Sequence, residues 1–76
     1  MKLKVSNDPF FLESPFDNYM KGVTGKLTSR NHLTVYENIL PIAMCGVYIG
    51  YVFDGWDYVG QKEIEVCDRC VREVKR

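Results

Sequence analysis

The residues of this sequence that are best suited to metal binding or reaction are its three cysteines and its single histidine. Cys67 and Cys70 are separated by two residues, and Cys45 lies upstream of them. Two thiolates at this spacing can bind one zinc ion from a single turn of chain, and a structural zinc site needs about four ligands. His32 or a water molecule could supply the fourth ligand. The sequence therefore predicts a zinc site formed by Cys45, Cys67 and Cys70, with His32 as a candidate fourth ligand.

Residues 41–76 resemble a treble-clef zinc finger. In that family a Cys-x-x-Cys-Gly knuckle precedes a hairpin, and a second Cys-x-x-Cys pair opens a helix. Here Cys45 and Gly46 match the end of the knuckle, and Cys67 with Cys70 match the second pair. Ile42 stands where the family has its first cysteine. The resemblance therefore implies a zinc ion held by three of the four family thiolates and one further ligand.

The alternative interpretation is that the cysteines bind no metal. Free cysteine is often buried as a small hydrophobic residue, so Cys67 and Cys70 could be ordinary core positions. A thioredoxin-like redox role fits less well, because such motifs lie near a βαβ pattern and the upstream sequence here predicts a hairpin. No nucleophile is paired with a base in any pattern typical of catalysis, so we expect a protein that is not an enzyme.

Aromatic residues are concentrated in one short segment that includes Tyr51, Trp56 and Tyr58. Side chains alternate between the two faces of a strand, so these aromatics must fall on both faces. A small chain cannot readily cover both faces, and exposed Tyr and Trp are frequent anchors in protein interfaces. We therefore expect a non-catalytic module that binds a partner protein through these three residues. The alternatives are a core position for Trp56 and a zinc-finger-like structural or nucleic-acid-associated module.

In size and composition the chain looks like the small inhibitors encoded by phages and other mobile elements. That likeness implies modulation of host machinery by occupying a partner surface. Ten basic and ten acidic residues cancel, which is unlike a dedicated nucleic-acid binder. The first residues lack the apolar region of a secretion signal, and the longest apolar stretch, residues 39–53, is too short to span a bilayer. We expect a cytoplasmic protein (host cytoplasm for a viral one) with reduced cysteines.

The length of 76 residues predicts one domain, residues 1–76. Residues 1–5 alternate lysine with apolar residues, which predicts a short strand with one wet face. Ser14 and Pro15 form a helix-start signal, with serine as the N-cap and proline in the first turn. We therefore predict a short N-terminal helix over residues 15–21.

Asp54 and Gly55 are the turn residues typical of a tight β-hairpin, which we predict over residues 47–59. The C-terminal region admits two interpretations: a helix from about residue 61, or a strand over residues 63–66 followed by a helix from about residue 67. The predicted fold class is α+β, with a small antiparallel sheet built on the central β-hairpin, a short N-terminal helix and a C-terminal helix.

Overall fold

The structure is a computed structural model and describes residues 1–7, 10–25, 30–53, 55–56 and 62–76. Within these residues the chain forms seven strands and one helix. They are β1 (Lys2–Asn7), β2 (Phe10–Leu12), β3 (Met20–Val23), β4 (His32–Glu37), β5 (Leu40–Ala43), β6 (Tyr51–Phe53), β7 (Lys62–Glu65) and α1 (Asp68–Lys75).

The first sheet has the strand order β2-β1-β7, and both pairings are antiparallel. Leu3 and Val5 of β1 are each 2% exposed, whereas Lys2 and Lys4 lie on the exposed face. Leu3 pairs directly with Ile64 of β7, which is also buried. This confirms the strand predicted from the alternation in residues 1–5, and it favours the interpretation with a strand before the C-terminal helix.

The second sheet has the order β5-β4-β3-β6 and is also antiparallel. A tight turn joins β4 to β5, with Glu37 opposite Leu40 and Asn38 at a φ of 59°. Asparagine tolerates this left-handed conformation better than most residues, so it suits a two-residue hairpin turn. The pairing brings the end of β5 back beside the start of β4, where His32 lies.

One hydrophobic core draws residues from both sheets and from α1. Trp56 and Phe16 are its largest fully buried side chains. The indole Nε1–H of Trp56 donates a hydrogen bond to the backbone carbonyl of Tyr19 at 3.0 Å. A buried indole needs such a partner, because an unpaired polar group in the core costs free energy.

The predicted N-terminal helix over residues 15–21 is wrong. The segment forms consecutive tight turns, with Phe16 N–H donating to the Glu13 carbonyl at 2.9 Å and Tyr19 N–H to the Phe16 carbonyl at 3.1 Å. The Ser14–Pro15 peptide bond is cis. So short a segment gains little from helix formation, because nucleation is costly. From Met20 onward the chain instead pairs as β3 with β4.

The predicted fold class is also wrong, because the described residues are mostly β and form two sheets. The first strand of the hairpin predicted over residues 47–59 is only partly present: Tyr48 forms an isolated bridge with Ile42, and regular strand structure begins only at Tyr51. That strand, β6, pairs with β3. Asp54 and residues 57–60 lie outside the described residues, so the predicted turn and return strand stay predictions. The predicted C-terminal helix is present as α1.

Candidate metal centre

Four side chains converge where the two sheets and α1 meet. The potential ligand atoms of His32, Cys45, Cys67 and Cys70 all lie within 4.8 Å of one another. His32 is the first residue of β4, Cys45 follows β5, and the remaining two cysteines flank the start of α1. These are the four residues that the sequence predicts as metal ligands, and they could hold a metal ion together.

Backbone hydrogen bonds place Cys45 beside β4. Met44 N–H donates to the Leu33 carbonyl at 2.8 Å, and Gly46 N–H donates to the Ala43 carbonyl at 2.9 Å. The second bond closes a turn around Cys45, and Gly46 continues the chain at its positive φ. Glycine adopts this conformation without the steric penalty that a Cβ would bring. The Cys45-Gly46 pair noted in the sequence therefore forms a tight turn that projects from the end of β5.

A second set of backbone contacts places the helix beside the same strand. Cys67 N–H donates to the Asn31 carbonyl at 2.9 Å, and Asn31 forms a parallel bridge with Val66. The Asn31 side chain adds a hydrogen bond from Nδ2 to the Glu65 carbonyl at 3.1 Å. These contacts join the two sheets next to His32. Cys70 then lies in the first turn of α1, on the same side as Cys67.

The distances around the imidazole agree with a tetrahedral zinc site. His32 Nδ1 lies 3.5 Å from Cys45 Sγ and 3.6 Å from Cys70 Sγ. Zinc bonds of about 2.3 Å to sulfur and about 2.0–2.1 Å to nitrogen, at tetrahedral angles, place the two ligand atoms about 3.6 Å apart. The same geometry places two sulfurs about 3.8 Å apart. The cluster therefore needs a contraction of about 1 Å at most to bind zinc.

The cluster is mostly shielded from water. Cys70 is 0% exposed, Cys67 7% and His32 8%, whereas Cys45 is only partly buried. Burial lowers the pKa of His32, and the charge of Arg30 lowers it further. A neutral imidazole is the form that binds a metal ion, because its nitrogen lone pair must be free. The environment of His32 therefore favours the metal-binding form.

The two cysteines of α1 have opposite pKa shifts. Burial raises the pKa of Cys70 to about 12. Burial acts in the same direction on Cys67, but the backbone N–H groups of Cys70 and Arg69 and the neighbouring thiols outweigh it, so the pKa of Cys67 is lowered. A bound cation would favour the thiolate form of Cys70 as well, because a coordinating thiol is deprotonated by the metal.

The residues predicted to bind a partner protein are not all on the surface. Tyr51 is 56% exposed, Trp56 is 1% exposed, and Tyr58 lies outside the described residues. The indole of Trp56 is buried and offers no surface for a partner. Trp56 is therefore a core residue, which was the alternative to partner binding. Within the described residues, the sequence reasoning missed several exposed large apolar side chains. They are Tyr36, Ile39, Leu40, Val47 and Tyr48. A signal was present in the sequence, because Ile39 and Leu40 directly follow Asn38, a residue type that is common in turns.

Comparison with known proteins gives no relative for this chain. No protein-family model, no curated protein and no solved structure matches it. The proposed likeness to phage-encoded inhibitors therefore has no support. Within the residues that the structure describes, no helix is long and apolar enough to cross a membrane.

Proposed function

We propose that this protein is a small zinc-stabilised domain in which His32, Cys45, Cys67 and Cys70 bind one structural zinc ion. The observation that carries the proposal is the convergence of the four potential ligand atoms within 4.8 Å of one another. The sulfur–nitrogen distances of 3.5 and 3.6 Å also match the value of about 3.6 Å for a tetrahedral zinc site. The four residues come from three separate segments of the chain, so a shared centre is a better explanation of their convergence than local sequence.

The set of donor atoms favours zinc over other ions common in proteins. Three sulfurs and one imidazole nitrogen form a soft site, whereas magnesium and calcium prefer oxygen ligands. The filled d shell of zinc imposes no preferred geometry, so the ion accepts tetrahedral coordination. Three cysteines and one histidine are an established ligand set of structural zinc sites. The three thiolates and Nδ1 of His32 would together fill the coordination sphere.

The proposed role is structural and not catalytic. A catalytic zinc site keeps one position open for water or substrate, whereas four protein ligands close the sphere. The metal would connect β4, the turn after β5 and the start of α1, and so would link the two sheets. A chain of this size has a limited core, and metals commonly supply stability to such small domains.

The direct test is the metal content of the reduced protein, purified without a chelator. We expect about one zinc ion per chain by elemental analysis. Replacing zinc with cobalt(II) should give the visible spectrum of a tetrahedral thiolate complex. The matched variants are Cys70→Ser and His32→Ala: the first should weaken the sulfur-to-cobalt charge-transfer bands, and the second should keep them while shifting the ligand-field bands. A folded, reduced protein with a zinc content near zero would contradict the proposal.

We also propose protein binding as a second candidate function, supported by a run of exposed apolar side chains. In the described residues between positions 36 and 51, six large hydrophobic residues are at least 39% exposed: Tyr36, Ile39, Leu40, Val47, Tyr48 and Tyr51. Tyr48 forms a bridge with Ile42 of β5, so part of this run lies along one sheet edge. Exposed apolar groups of this kind are typical of interaction surfaces.

A comparison of binding by surface variants tests the second candidate. The double variant Ile39→Ser and Tyr48→Ser should fold normally and lose partners that the native protein retains in a pull-down. Glu63→Ser, on the exposed face of the first sheet, is the control. Equal recovery of the same partners by both variants would show that this run is not the binding surface.

A further inference from the structure

The four residues of the metal centre differ in their access to solvent. Cys67 and Cys70 are 7% and 0% exposed, while Cys45 is only partly buried. The chain after Cys45 runs through exposed residues 46–48. A Cβ built on Gly46 would meet no atom within 4 Å. Open space therefore adjoins Cys45, whereas Cys67 and Cys70 are covered by other parts of the chain.

This difference matters because a metal-bound thiolate is still a nucleophile. Oxidation of cysteine depends on thiolate character and on exposure. A ligand sulfur that small molecules can reach is thus the point where an otherwise closed site can be opened. Cys45 also has two sulfurs and one imidazole nitrogen within 4.8 Å. A second thiolate is therefore close enough to react with an oxidised Cys45.

We propose that Cys45 is the oxidation-sensitive residue of the centre, and that hydroperoxides react there first and release the metal. This inference rests on the proposed zinc site. The Cys45 thiolate attacks one peroxide oxygen and the O–O bond breaks. The products are a sulfenic acid and a leaving group, which is hydroxide from hydrogen peroxide or an alkoxide from an organic hydroperoxide. The Cys70 thiolate then attacks the Cys45 sulfur, forming an S–S bond and expelling hydroxide. Two thiolates lose two electrons in total, and the peroxide gains them.

The result of this chemistry is the loss of two of the four protein ligands. A disulfide sulfur is a poor metal ligand compared with a thiolate, so only Cys67 and His32 remain to hold the ion. The chain would then release the metal and lose the metal's contribution to the connection between its two sheets. Reduction of the disulfide by a thiol would restore both ligands, since disulfides exchange with thiolates.

Two variants with the same ligand set test the position of the reactive sulfur. Cys45→His and Cys67→His both give two cysteines and two histidines, a combination that binds structural zinc. Each zinc-loaded protein is treated with hydrogen peroxide, and the released metal is followed with a coloured zinc indicator. We expect release from the native protein and from Cys67→His at similar rates, and release from Cys45→His to be several times slower.

Chemical mapping of the native protein supplies an independent measurement if either variant fails to fold. After brief peroxide treatment, a reagent selective for sulfenic acids and mass spectrometry should locate the first modification at Cys45, and later samples should contain the Cys45–Cys70 disulfide. Equal release rates from the two variants, or first modification at another cysteine, would overturn this inference alone. A native protein that contains no zinc before peroxide is added would overturn the proposed function instead.

Discussion

Removal of the metal should cost this protein a large part of its stability. The metal would tie His32 to Cys45 across a separation of 13 residues and His32 to Cys70 across 38 residues. By the chain-entropy argument used for disulfides, closing loops of these lengths stabilises the folded state by about 3 and about 4 kcal/mol. Because the loops overlap, their combined effect is smaller than the sum, and we expect about 5 kcal/mol.

This value is large compared with the total stability expected for a chain of 76 residues. At about 0.05–0.15 kcal/mol per residue, the free energy of unfolding would be about 4–11 kcal/mol. Loss of about 5 kcal/mol would therefore leave the metal-free protein close to its unfolding transition, or beyond it. With a urea dependence of about 1–3 kcal/mol per molar, the unfolding midpoint should fall by about 2 M or more.

The fluorescence of Trp56 provides the assay, because it is the only tryptophan and is 1% exposed. Urea titrations of the zinc-loaded protein are compared with titrations after addition of a strong chelator, both under reducing conditions. The double variant Cys67→Ser and Cys70→Ser serves as the control, and its curve should not respond to zinc or chelator. Superimposable curves for a native protein shown to contain zinc would refute the loop-closure reasoning.

Two further predictions concern packing. Gly50→Ala should destabilise the protein by about 1–3 kcal/mol, because the new methyl group would overlap the backbone carbonyl of Thr24. Gly25→Ala, where a Cβ meets nothing within 4 Å, is the control and should change stability by less than about 0.5 kcal/mol in thermal unfolding. Trp56→Phe removes the hydrogen bond to the Tyr19 carbonyl and should cost about 2–4 kcal/mol. A Trp56→Phe protein as stable as the native one would show that the indole is not a core element.

The strands and the helix were predictable from the sequence only where a local pattern agreed with the tertiary contacts. Residues 1–5 alternate, and β1 covers most of them as Lys2–Asn7; α1 begins at Asp68, close to the predicted position. The signal at Ser14 and Pro15 failed, because the turns there serve to bury Phe16, which is 2% exposed, and to lead Met20 into β3. A cap residue indicates where a helix can begin, but it does not ensure enough length or tertiary packing to sustain one.

The central hairpin shows a second reason why structure could not be predicted from local sequence patterns alone. Residues 45–53 have the composition of one strand, yet the backbone departs from regular strand structure near Gly46 and Gly50. Gly46 has a positive φ, and Gly50 N–H donates to the Val23 carbonyl at 2.9 Å. These backbone contacts depend on residues distant in sequence. Periodicity could not reveal them, because it records only the residue types along one segment.

The grouping of His32, Cys45, Cys67 and Cys70 was more predictable than the backbone arrangement that brings them together. The spacing of Cys67 and Cys70 indicated a chelating pair, and Cys45 followed by Gly46 indicated a turn. His32 was the candidate ligand that no motif indicated, because it occupies no position of the treble-clef pattern. It joins the cluster through strand pairing: Thr34 lies opposite Ala43, which brings the first residue of β4 near the turn that follows β5.

The same backbone contacts that build the fold also bring the four candidate metal ligands together. Met44 N–H donates to Leu33, and Cys67 N–H donates to Asn31, so two of the ligand-bearing segments are fixed to the chain on either side of His32. These hydrogen bonds do not involve the metal. In the folded chain, this cluster would need only a contraction of about 1 Å at most to bind zinc, because backbone contacts already hold the ligand-bearing segments together. The absence of a cysteine at Ile42 is therefore compatible with a set of four candidate ligands, since His32 of β4 adds an imidazole to the three thiols.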